Sequence, residues 1–323
     1  MKNFKIVTGI VAGIISFILT VSYVCFRIVF FVSKKQKKAV KENLVPEGKL
    51  YEPYHEDMLR WIKETRELPH EEFTITSFDG LKLYGKYFEC DKNAPIELMF
   101  HGYRGSAERD LSGGVQRCFK LGRNVLVVDQ RTSCNSEGNV ISFGVNESKD
   151  CLAWISFMIE HFGSDVQIIM TGISMGAATV LMAAGKQLPP NVIGVLADCG
   201  YSSAKEIIKK CARQMHLPAN IIYPFIKLGA KIYGHFDLEE YSPIEAMKTC
   251  KIPVIFVHGE ADDFVPCEMS KMTYDVCKSP KRIFTVPDAG HGLVYLVDNP
   301  GYLREVSEFF TENGIPTKIK EYG

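Results

Sequence analysis

The chain carries no net charge: 38 Lys and Arg balance 38 Asp and Glu over 323 residues. No long-range field therefore exists to gather nucleic acid or a polyanionic partner. It also lacks any Cys-x-x-Cys pair. Its ten cysteines (Cys25, Cys90, Cys118, Cys134, Cys151, Cys199, Cys211, Cys250, Cys267 and Cys277) are scattered singly, which argues against a zinc site or disulfide frame and fits reduced, individually buried thiols. There is no glycine-rich phosphate loop, no internal repeat and no low-complexity tract, and no metal or organic cofactor is implied. What remains is an ordinary composition, 46% hydrophobic and 24% charged, with enough chain for one large α/β domain.

Long apolar runs are absent too, with one exception. Ile6 to Phe26 is 21 residues interrupted only by Gly, Ser, Thr and one Tyr; at ~1.5 Å per residue it spans about 30 Å, one bilayer core. Lys2 and Lys5 precede it, and Arg27, Lys34, Lys35, Lys37, Lys38 and Lys41 follow. A cleaved signal peptide fits less well: the run is long for one, no small-x-small site follows, and bulky Val24 precedes Cys25. Residues 1–32 are thus expected to be a single-pass transmembrane anchor, 33–50 a Lys-rich linker, and 51–323 the folded domain. The heavier positive charge after the span favours a cytoplasmic domain. The basic N-terminus argues the other way, and the lysines also suit anionic headgroups; cysteine usage tips the balance to the cytoplasmic face.

Beyond the linker, a helix is expected from about Tyr51 to Glu67. Strand-like runs follow at 73–77, 81–88 (with Asp79-Gly80 as the turn), 96–100 and 124–128. After Asn146 a helical pattern carries Cys151, Leu152, Trp154, Ile155 and Met158 at core spacing. Strand and helix then alternate through runs at 166–170, 192–197, 252–258 and 282–286, ending in a helix from about Tyr302 to Asn313. An opening hairpin followed by βα alternation predicts a mostly parallel central sheet with helices on both faces. One stretch, about 202–246, is helical without a strand and unusually apolar at Ile221, Ile222, Tyr223, Phe225, Ile226 and Leu228. It reads as a helical lid at the sheet's C-terminal edge, with an ordinary packed helical pair as the alternative.

The chain is organised around Gly172-Ile173-Ser174-Met175-Gly176, between an apolar strand and the helix-forming Ala177–Ala184. Strand, Gly-x-Ser-x-Gly and helix form the context of a nucleophile elbow. Such a turn holds its serine at positive φ, so the residues two before and two after must be tiny. It lifts the Ser174 hydroxyl above the sheet and puts the Met175 N–H, at a helix N-terminus, where an oxyanion would form. A serine needs a base, and the base an acid to orient it. His291, in Ala289-Gly290-His291-Gly292 after the last strand, is the histidine late enough in the chain for the order Ser…acid…His. For the acid, His258-Gly259-Glu260-Ala261-Asp262-Asp263-Phe264-Val265-Pro266 offers three carboxylates. Asp262, the Asp of Asp-x-x-Val-Pro, is preferred over Asp263 and then Glu260, with Asp198 a weaker candidate. His101-Gly102-Tyr103-Arg104-Gly105 follows the 96–100 strand; its glycines permit close backbone approach, the Tyr103 N–H is the expected second oxyanion donor, and His101 is expected to brace the loop.

Taken together, these motifs resemble the α/β-hydrolase fold family over roughly Phe73 to Asn313. In detail they are similar to prolyl oligopeptidase-type, BAAT-like and lysophospholipase/monoacylglycerol-lipase-like bacterial serine hydrolases, many of them membrane-anchored. The resemblance implies Ser174 as nucleophile, His291 as base, Asp262 as acid, and Tyr103 and Met175 as backbone oxyanion donors. It implies cleavage of an ester with an acyl or lipid-like chain, with peptidase, thioesterase and non-catalytic binding domain as alternatives; the partners implied are a hydrophobic ester and the membrane, with no nucleic acid and no metal. One departure stands out. Relatives often carry His-Gly in the loop after the fourth strand, where this chain has Ser133-Cys134. Altered loop geometry beside the site is therefore expected.

Overall fold

The structure, a computed structural model, describes residues 2–315 and residue 317. It opens with the helices α1 (Lys2–Val29), α2 (Lys34–Glu42) and α3 (His55–Glu67), a short 3₁₀ turn preceding the last. The hairpin β1 (Glu71–Thr76) and β2 (Lys82–Phe88) follows, then β3 (Ile96–Phe100), α4 (Ala107–Lys120), β4 (Asn124–Asp129), α5 (Glu147–Phe162), β5 (Ile168–Ile173), α6 (Met175–Ala184) and β6 (Val192–Asp198). Three helices come next: α7 (Ala204–Gln214), α8 (Ala219–Tyr233) and α9 (Pro243–Met247). The chain closes with β7 (Val254–Gly259), α10 (Cys267–Val276), β8 (Lys281–Val286), α11 (Val294–Val297) and α12 (Asn299–Glu312).

The eight strands form one sheet in the order β1-β2-β4-β3-β5-β6-β7-β8. The pairs β1–β2 and β2–β4 are antiparallel, and every later pair is parallel. This arrangement follows from composition. Strands β3, β4 and β7 are buried at every residue, as parallel strands covered on both faces must be. One face packs on α5 and α6 through Trp154, Ile155, Met158, Val180 and Leu181. The other is covered by α4 through Leu111, Val115 and Cys118 and by α12 through Val306, Phe309 and Phe310.

Beneath the sheet centre, Glu97 is fully buried between Arg117 at 2.5 Å and Arg123 at 2.6 Å, and accepts the Thr171 hydroxyl at 2.8 Å. Burial pushes this carboxyl up, but the two guanidiniums reverse that and hold it well below the usual range.

Two features differ from the expected layout. The residues expected as linker contain α2, which starts at a reciprocal cap: the Ser33 hydroxyl accepts the Gln36 N–H at 3.2 Å while Gln36 accepts the Ser33 N–H at 2.9 Å. In addition, α1 is one helix of 28 residues whose two ends differ. From Phe4 to Thr20 it is nearly all exposed, whereas Ser22, Cys25, Phe26, Phe30 and Val32, towards and just past its end, are buried against the domain.

The 204–247 insertion is helical, as expected. Ile207, Ile208, Tyr223 and Ile226 pack with Met175, Phe143 and Tyr201 beside the elbow, and with Phe26 and Phe30 of the N-terminal segment.

Candidate active site

Ser174 stands between β5 and α6 with φ of 56° and ψ of −117°, a strained conformation that the surroundings must impose. Its N–H donates to the Asp198 carbonyl at 2.8 Å, and its carbonyl accepts the Ala178 N–H at 3.1 Å. A Cβ on Gly172 would strike the Gly176 backbone, and one on Gly176 the Phe100 carbonyl. Only glycine fits at either position.

The structure brings Ser174, His291 and Asp262 together across three chain segments. The Ser174 hydroxyl lies 3.0 Å from His291 Nε2, and His291 Nδ1 donates to Asp262 Oδ2 at 2.6 Å. Asp262 is held on every side: its Oδ1 accepts the N–H groups of Phe264 at 2.9 Å and Val265 at 2.8 Å, and His258 Nε2 lies 3.2 Å from its Oδ2. Burial pushes this carboxyl up, yet hydrogen bonds from His258 and His291 more than reverse the effect, holding it far below the usual range. His258 is itself fixed by the Val265 carbonyl at 2.8 Å and the Ser270 hydroxyl at 2.7 Å.

The other carboxylates are placed elsewhere. Glu260 accepts the Thr285 hydroxyl at 2.7 Å, and Asp263 is exposed, its carbonyl facing Lys210. Asp198 lies under the elbow, accepting the Tyr302 hydroxyl at 3.2 Å. Burial raises its carboxyl to about 6, although His258, Tyr302 and Arg117 each pull it down.

The His101–Gly105 loop passes alongside Ser174. His101 Nδ1 bonds the Gly102 carbonyl at 2.8 Å, and its Nε2 accepts the Gln130 N–H at 3.0 Å. The ring thus pins the loop to the end of β4 and reaches no reacting group. Asp110 accepts the Gly102 N–H at 3.2 Å; among the described residues no acceptor meets the N–H of Tyr103. The Met175 N–H opens α6, where no intrahelical acceptor exists. The departure at Ser133-Cys134 has a structural account: the Ser133 hydroxyl donates to the Gly105 carbonyl at 2.6 Å, while Cys134 takes φ of 32° without being glycine. Burial pushes its half-buried thiol up, away from thiolate.

A cavity of about 330 Å³ opens beside Ser174 and His291, the scale of a small-ligand site. Met58, Trp61, Met99, Leu111 and Leu196 give it apolar walls, and Tyr51 lines it from the N-terminal segment. Burial, with Cys199 and Asp262 nearby, pushes the Tyr51 phenol up. Sequence reading overlooked Tyr51 and His258, although His258 opens a motif already in view.

Cys199, Asp262 and His291 bring three potential ligand atoms within 4.8 Å. The donor set fits a metal poorly: His291 and Asp262 are bonded to each other, and burial drives the Cys199 thiol strongly up.

Sheet, elbow and hydrogen-bond chain define an α/β-hydrolase of the serine hydrolase class. The chain belongs to the prolyl oligopeptidase family, whose model matches residues 137–314, and the model of the X-Pro dipeptidyl-peptidase (S15) family matches residues 50–213. The uncharacterized protein YqkD of Bacillus subtilis is 22% identical over 310 residues, covering 96% of this chain and 97% of the relative. Protein bem46 of Schizosaccharomyces pombe is 25% identical over 89% of each chain. Among solved structures, the Pyrococcus furiosus esterase Pf2001 superposes with a TM-score of 0.61 at 22% identity, over 77% of this chain and 94% of that one. Est1E of Butyrivibrio proteoclasticus, solved with ferulic acid bound, gives 0.57 at 19% identity, over 75% and 98%. At these identities the structural likeness speaks for the fold.

Proposed function

We propose that this serine hydrolase cleaves carboxylic esters carrying an acyl or other hydrophobic chain, and that α1 holds it at a membrane as a single-pass anchor with the domain on the cytoplasmic side. The observation that carries the catalytic reading is the continuous chain from the Ser174 hydroxyl through His291 to Asp262, at 3.0 and 2.6 Å. His291 Nε2 takes the proton as Ser174 Oγ attacks the ester carbonyl. Asp262 holds the ring in the correct tautomer and stabilises the imidazolium that forms. The N–H groups of Tyr103 and Met175 receive the oxyanion. The alkoxide leaves with the His291 proton, and water activated by His291 then hydrolyses the acyl-enzyme. The apolar cavity walls support an acyl chain over a polar substrate. The lysines around α2 and the ten scattered cysteines, with no Cys-x-x-Cys pair among them, support the cytoplasmic placement.

A peptidase uses the same parts, and the family's namesake activity favours that second reading. The test is fluorophosphonate labelling of the full chain in detergent, with p-nitrophenyl esters from short to long and Ser174→Ala beside it. Labelling and turnover that both vanish in Ser174→Ala are expected. A folded protein with neither would sink the enzymatic reading, and labelling without ester turnover would transfer the assignment to amides or thioesters.

A further inference from the structure

The last third of α1 is built into the domain. Its final turn leaves carbonyls without helical partners, as any helix end must, and the loop beside the elbow supplies the donors. The Tyr103 hydroxyl donates to the Val29 carbonyl at 2.7 Å, and Arg104 Nη2 donates to the Ile28 carbonyl at 2.8 Å. A guanidinium at a helix C-terminus also meets the negative end of the dipole. Just past the helix, Phe30 is fully buried between the rings of Phe143, at 5.7 Å, and Phe236, at 5.3 Å. Two backbone bonds then stitch the segment to the loop after β4: the Ile141 N–H to the Phe30 carbonyl and the Val32 N–H to the Asn139 carbonyl, each 2.8 Å.

Further back along the helix, α1 runs against α8. Gly229 lets the helices touch, since a Cβ there would lie 2.5 Å from the Ser22 carbonyl. The Tyr233 hydroxyl donates to the Leu19 carbonyl at 3.1 Å, and the rings of Tyr23 and Tyr233 meet edge to face at 5.1 Å. A leader removed on export would leave Phe143, Phe236, Tyr223 and Ile226 bare and two carbonyl-capping side chains without acceptors.

We propose that α1 is retained in the mature protein as a positioning element for acyl transfer: its C-terminal carbonyls directly, and Phe30 through the Phe143 ring that meets Tyr103 at 5.3 Å, seat the Tyr103–Arg104 turn so that the Tyr103 N–H points at the oxyanion. This rests on the reading of Tyr103 as an oxyanion donor. Tyr103→Phe separates position from mere stability, because it deletes the hydroxyl bonded to Val29 and keeps both ring and backbone N–H. In the full chain in detergent, Tyr103→Phe lowers kcat and the fluorophosphonate labelling rate about 5- to 20-fold, less than the ~10²-fold or more expected when an oxyanion donor is lost outright. KM stays within about twofold and the melting midpoint is essentially unmoved. Phe30→Ala shows the same kcat loss and Phe30→Leu recovers most of it. Intact mass of the native protein shows residues 1–32 present.

Wild-type labelling with Tyr103→Phe equal to it in kcat would overturn the positioning role alone. A native form lacking residues 1–32 with full activity would overturn both the retention of α1 and its positioning role, and leave the hydrolase reading standing. Absence of labelling in folded wild type would instead overturn the hydrolase reading, and the positioning role with it.

Discussion

Asp262 spends both carboxylate oxygens on fixed donors: Phe264 and Val265 on one, His291 and His258 on the other. An asparagine cannot accept on both sides, so Asp262→Asn leaves His291 free to take the wrong tautomer. A fall in kcat of about 10³–10⁴ is expected, while Asp263→Asn and Glu260→Gln stay near wild type; steady-state kinetics on one ester checks all three. Asp198 acts in the opposite sense. Its folded carboxyl titrates at about 6, above the unfolded value of about 3.9, so the folded state binds its proton more tightly. Its contribution is favourable below pH ~4 and is lost as pH rises towards 6, by an order of 1–3 kcal/mol. Asp198→Asn should remove that downward slope between pH 4 and 6 in denaturant titrations, and an unchanged slope would refute the assignment. Ser174, Asp262 and His291 were legible because each lies in a short, glycine-bearing motif at a strand end. Tyr51 was not, since it reaches the cavity from beyond the expected linker and nothing beside it in sequence marks the contact.

Among the elements, strands declared themselves by apolar runs buried on both faces, and β3, β4 and β7 lie within a residue or two of expectation. The segment between anchor and hairpin was harder. Its lysines read as solvated chain, yet Lys37 bonds the Ser136 carbonyl and Lys41 the Asn135 side chain, and the Ser33–Gln36 cap was a local signal that charge density obscured. The paired strands β3 and β5 sit on a different kind of support, the buried Glu97 with its two arginines. Glu97→Gln leaves the two guanidiniums under-compensated in the interior, and a loss of about 3–5 kcal/mol is expected from chemical denaturation. Replacing Gly229 by Val should separate α8 from α1, measured as faster proteolysis of the 204–247 helices; protection equal to wild type would contradict the packing argument.

For the whole molecule, the exposed run of α1 ends near Ser22, and the Val29 carbonyl that holds Tyr103 lies seven residues further on. At ~1.5 Å per residue that is about 10 Å of helix, slightly more than the roughly 5–8 Å of headgroup layer on one side of a bilayer. On the proposed anchoring, the Tyr103 turn beside Ser174 is held at a set distance along α1 from the membrane-spanning run. Encounters of Ser174 with a membrane-dissolved ester then take place in two dimensions. Turnover in proteoliposomes should follow the mole fraction of ester in the film and stay flat when more vesicles of the same composition are added. An enzyme meeting its substrate in water would instead track bulk concentration. On the proposed anchoring, the helix bonded to the reactive loop would thereby also decide which concentration counts.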